Sequence, residues 1–89
     1  MTTYTFPFEP DSEYWSGGQN LRSTRLGKQQ AIDEVARALN PLLNDPMATA
    51  RVERTPTGGV LIVNTVQLID DVEAAVARAF KGLGMLKRL

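Results

Sequence analysis

Two runs rich in β-branched residues, 48–54 and 60–65, flank the stretch Thr55-Pro56-Thr57-Gly58-Gly59, and a helical pattern lies on each side of them. No other feature restricts the fold of this chain as strongly. Proline and glycine supply the backbone angles a reversal needs, so the two runs read as a hairpin. Ala48, Ala50 and Val52 share one face of the first run, while Thr49, Arg51 and Glu53 share the other. That is the alternation of a strand with one solvated face. The second run is apolar on both sides, with Val60 and Ile62 pointing one way and Leu61 and Val63 the other. Such a strand is either central and covered on both faces, or part of an interface.

Upstream, Tyr4, Phe6 and Phe8 alternate with Thr3, Thr5 and Pro7, the period of a half-buried strand. Pro7 has no backbone donor, which favours a sheet edge or a place where the strand pairs on one side only. No period survives in residues 9–20, a long irregular loop punctuated by Pro10, Gly17 and Gly18. A first helix is expected to begin near Ser23 or Thr24, with Ile32, Val35, Ala36 and Leu39 as its apolar stripe. Asn40-Pro41 breaks it, with Asn40 placed to cap one extra turn and Leu42 and Leu43 turned inward.

The second helix is expected to start at Asn64 or Thr65, with Gln67 completing a capping box from Asn64. Asp70, Asp71 and Glu73 fall early in it and Arg78 and Lys81 late, as the helix dipole favours. Its stripe is Ile69, Val72, Val76, Ala79, Phe80 and Leu83, and Gly82 or Gly84 ends it. Val72, Val76 and Phe80 should pack on the hairpin face that carries Val52 and either Val60 or Ile62. Residues 82–89 form a tail or a short last strand. The order β-α-β-β-α(-β) makes residues 1–89 a single α+β domain of the split βαβ kind. In that ferredoxin-like shape an antiparallel hairpin sheet carries two helices on one face. Its first strand is central, against the edge preference of Pro7.

Chemistry is sparse. The 89 residues contain no cysteine and no histidine, so the best nucleophile and the commonest general base are both missing. Catalysis is not expected, nor is a cofactor. Glu9, Asp11 and Glu13 lack the glycine and distal glutamate of a calcium loop, and no metal site is expected. Gly17-Gly18 and Gly58-Gly59 match no phosphate-binding loop. The longest apolar run, residues 60–63, is too short to span a bilayer. With no signal-peptide pattern and no disulfide chemistry, a cytoplasmic setting away from membranes is the expectation.

The net charge is zero, from ten acids and ten bases, but the charges are segregated. Residues 1–16 carry only acids, while Arg22, Arg25 and Lys28 crowd the expected start of the first helix, where the dipole disfavours cations. These three bases either neutralise the acidic loop or form a surface for an acidic partner or phosphate. Tyr14 and Trp15 are the large aromatics of the loop, suited either to capping the core or to anchoring a partner. The expected function is therefore non-enzymatic protein binding, through Tyr14, Trp15, Arg22, Arg25 and Lys28. Leu61 and Val63 are the candidate homodimer interface. An accessory or inhibitor protein of phage or mobile-element type would suit the size. The alternative is a nucleic-acid-binding module using the basic cluster and the basic tail of Lys81, Lys87 and Arg88.

Overall fold

The computed structural model describes residues 1–11, 28–83 and 86–89, and for Lys28 and Gln29 the backbone alone. Strand β1 (Thr2–Pro10) is followed by helix α1 (Lys28–Leu39), which runs into a 3-10 turn (Asn40–Leu42). Strands β2 (Thr49–Arg54) and β3 (Gly59–Thr65), helix α2 (Ile69–Gly82) and strand β4 (Leu86–Arg88) complete the order. The strands make one antiparallel sheet in the order β2-β3-β1-β4. Helix α1 links β1 to β2, which flank β3, and α2 links β3 to β4, which flank β1.

Both helices cover the same face. Ala31, Ile32, Val35 and Leu39 of α1 and Val72, Ala75, Val76, Ala79 and Phe80 of α2 form one cluster with Phe6, Phe8, Leu61 and Val63. The rings of Phe8 and Phe80 meet edge to face with centroids 5.3 Å apart, a favoured aromatic geometry. The α1 stripe and most of the α2 stripe thus lie where their periods place them. Ile69 does not, being 44% exposed in the first turn of α2.

The hairpin register settles which aliphatic side chains join this core. Arg54 pairs with Gly59 and Val52 with Leu61, so Val52 shares its face with Leu61 and Val63 rather than with Val60 and Ile62. The expected packing of α2 on Val60 or Ile62 is corrected accordingly. Parity across the four turn residues, Thr55 to Gly58, decides the matter, since a shift of one residue exchanges the two faces. Leu61 and Val63, the candidate dimer interface, are both fully buried beneath the helices. They are not surface residues, and the face turned away from the two helices carries Val60 and Ile62 instead.

Pro7 sits inside a central strand, opposite Val60. Its carbonyl accepts the Leu89 N–H at 3.0 Å, on the β4 side. The nitrogen and carbonyl of a strand residue point the same way, so the missing donor faces the rim just past the end of β4, not β3. Because Pro7 stands at a non-hydrogen-bonded position against β3, its missing donor costs no bond there, and this reconciles proline with an interior strand.

Gly58 and Gly59 also have a steric role. A Cβ on Gly58 would lie 2.3 Å from the Phe8 carbonyl oxygen, and one on Gly59 would lie 2.8 Å from the Phe8 ring. The pair lets the hairpin lie close against β1. Helix α2 starts later than expected: Leu68 is its N-cap, with no side-chain cap bond, in place of Asn64 or Thr65. Likewise Leu39 rather than Asn40 stands at the N-cap of the 3-10 turn, with Pro41 in its first positions and Leu43 buried.

Candidate functional site

Asp45, between the 3-10 turn and β2, organises the end of the sheet at which β1 begins and β3 stops. Its Oδ2 accepts the Thr65 hydroxyl at 2.8 Å and the Val66 N–H at 3.1 Å, and its Oδ1 accepts the Met47 N–H at 3.0 Å. The Thr65 hydroxyl bond first, then the Val66 and Met47 amides, hold this carboxyl below the usual carboxylate range. Thr65 is fully buried, and its oxygen also accepts the Gln67 N–H at 3.1 Å. Tyr4 donates its hydroxyl to the Gln67 carbonyl at 3.0 Å, and the Gln67 side chain accepts the Asn44 N–H at 3.2 Å. Two loops and a strand are thus tied together by polar bonds.

What this frame presents outward is apolar. Met47 is 71% exposed, Val66 67% and Leu68 73%, with Ile69 beside them. Met1, also exposed, precedes Thr2, which pairs with Thr65. Among the described residues these five are all but one of the exposed large hydrophobic side chains, and the topology brings all five to one end of the sheet. Exposed apolar groups gathered in one place mark a binding surface more often than scattered ones do. A groove of about 330 Å³ adjoins them, lined by Leu42, Asn44, Gln67, Asp71, Ala75 and Arg78 among others. Its chemistry is mixed, with carboxylate, guanidinium and amide groups around an aliphatic floor.

None of the expected partner-binding side chains can be set against this surface. Tyr14, Trp15, Arg22 and Arg25 fall outside the described residues, as does the side chain of Lys28, the first residue of α1. Two of the three bases of the tail are already engaged. Lys87 Nζ lies 3.5 Å from Glu9, and Arg88 Nη1 lies 2.8 Å from Glu73, with its guanidinium 5.2 Å from the centre of the Phe6 ring. A base held in an ion pair offers less to a phosphate. No helix among the described residues is long and apolar enough to cross a membrane.

Sequence reading passed over the apolar end because its residues sit between elements. Met47 and Val66 belong to no periodic stripe, and the expected early start of the second helix absorbed Val66 and Leu68 into its first turn. The usable signal was Val66-Gln67-Leu68-Ile69, a mostly apolar junction where polar capping residues are more usual. Comparison with known proteins found no matching family model, no matching curated protein and no matching solved structure.

Proposed function

We propose that this chain is a small non-enzymatic protein that works by binding another protein through the apolar end of its sheet. One observation carries the reading: Met47, Val66 and Leu68 are each about two-thirds exposed or more, on a frame fixed by Asp45, Thr65, Gln67 and Tyr4. A rigid frame lowers the ordering cost of association, so exposed aliphatic anchors on it are effective. The fitting partner is a protein surface with an apolar patch of its own and a base near it, since Asp70 and Asp71 lie in the first turn of α2. We read the fold as the split βαβ, ferredoxin-like arrangement, which the strand order and the two helices on one face support. That shape hosts many functions and adds nothing to the functional reading. An accessory or inhibitory role belongs to the same proposal and rests on size alone.

The test pairs the parent with a Val66→Asp/Leu68→Asp variant, both confirmed as folded by circular dichroism. A partner captured by the parent is then purified and titrated against each protein. The expected result is at least about tenfold weaker binding by the variant, with little salt dependence for the parent. Equal binding by both would overturn the proposal. A steep fall of parental binding with salt, and binding to nucleic acid, would favour the basic-surface alternative.

A further inference from the structure

The outer rim of β2 presents a self-complementary strand, and we propose that it pairs with β2 of a second copy of this chain, about a two-fold axis at Val52. The argument starts at the hairpin turn. Thr55 and Gly58 exchange both backbone hydrogen bonds, at 3.1 and 3.4 Å. Bonded and non-bonded pairs alternate along an antiparallel ladder. With the register Glu53–Val60 and Arg51–Ile62, the backbone groups of Thr49, Arg51 and Glu53 are directed at β3. Those of Ala50, Val52 and Arg54 are directed outward. β2 is the last strand on its side of the sheet, so these outward groups meet no further strand among the described residues.

Antiparallel pairing with a second copy, centred on Val52, uses all three. Val52 pairs with Val52, and Ala50 pairs with Arg54, each exchanging two backbone bonds. Arg51 then stands opposite Glu53 of the other copy at a non-hydrogen-bonded position, where Cα atoms approach to about 4.5 Å and side chains are closest. The two-fold axis repeats that pairing, so each copy supplies one cation and one anion. Within one chain Arg51 and Glu53 already lie 2.6 Å apart, both more than half exposed, on the face turned away from the two helices. Charged residues normally guard an edge by repulsion, but this alternation of signs attracts its own copy. Ala50, opposite Arg54, leaves room for the guanidinium that Asp33 of α1 holds. β2 has six residues and runs without a bulge against β3. The opposite edge strand, β4, has only three residues and offers a much shorter rim.

Sedimentation equilibrium of the purified chain across micromolar concentrations tests the proposal. The expected parent is a reversible dimer, with hydrogen exchange at the Ala50, Val52 and Arg54 amides slowing as concentration rises. Arg51→Glu alone, or Glu53→Arg alone, sets like charges against each other twice, and should weaken the dimer by about tenfold or more. The double exchange Arg51→Glu/Glu53→Arg restores complementarity and should return the dimer to near parental strength. Circular dichroism confirms that each variant is folded. A parent that stays monomeric overturns the proposal. So does a dimer indifferent to the single reversals, or one in which the three amides stay unprotected.

Discussion

The two faces of β3 carry nearly the same chemistry and do different things. Leu61 and Val63 are fully buried beneath α1 and α2, in one cluster with Phe6, Phe8, Val76 and Phe80. Ile62, on the other face, is 8% exposed yet stands outside that cluster, and Val60 beside it is half-buried. The two described helices both pack on the opposite face. On that face Ile62 has Thr5 of β1 on one side and Arg51 of β2 on the other. Among the described residues, one apolar side of β3 is covered by two helices, and the other has its sheet neighbours beside it. Only the first encloses a side chain in a space that cannot refill when atoms are removed.

The largest expected effect is on the covered face. Phe80→Ala removes the ring packed on Phe8, and it should cost about 3–5 kcal/mol, a large share of the stability of a domain this small. Urea unfolding followed by circular dichroism measures it. A variant as stable as the parent would mean that α2 does not close this face.

Gly59→Ala probes the same face by adding an atom. The new Cβ would meet Phe8 at 2.8 Å and Val52 at 3.2 Å, and Phe8 itself is almost fully buried. Overfilling of this kind typically costs about 1–3 kcal/mol. Thermal unfolding should show a clear drop, and an unchanged midpoint would mean that Phe8 has room to move.

A matched pair then sets the faces directly against each other. Val63→Thr places a hydroxyl in the covered core with no partner, at a cost of about 1–3 kcal/mol. Ile62→Thr places one on the face away from the helices, opposite Thr5 and Arg51, whose polar side chains can bond it, and should cost less than Val63→Thr. Equal losses in the same unfolding assay would erase the distinction between covering and flanking.

This contrast was only half legible in the sequence. Period two showed that residues 60–63 are apolar on both sides, and periods of three and four located both helices. The burial of one face by both helices follows from those patterns. Which face it would be does not, because that depends on turn parity, settled by the pairing of Arg54 with Gly59. The position of Pro7 was misleading for a similar reason: its preference concerns one side of a strand, and that side is not the one bonded to β3. The apolar end was the least legible part. Met47, Val66 and Leu68 come together through Asp45 and the β1–β3 register, and no local period records contacts so distant in sequence.

Thr65 is the polar exception on the covered face, and it gives the finest test. Its side chain is fully buried, a position that costs free energy unless the hydroxyl is bonded. Asp45 accepts that hydroxyl, and the bond, with the Val66 and Met47 amides, depresses the Asp45 pKa. A carboxylate whose pKa is lower in the folded state contributes stability that is fully present above its unfolded value, about 3.9. That contribution is lost as pH falls through the folded value. Asp33, depressed chiefly by its hydrogen bond to Arg54, acts in the same direction. The parent should therefore lose stability on acidification below about pH 5. Asp45→Asn should flatten that loss, because an amide cannot accept on both sides and no longer titrates. Asp33→Asn, at an exposed pair, should flatten it less. Urea midpoints measured from neutral pH downward give the comparison. If Asp45→Asn kept the full acid dependence, Thr65 would owe its burial to the helices alone and not to the carboxylate.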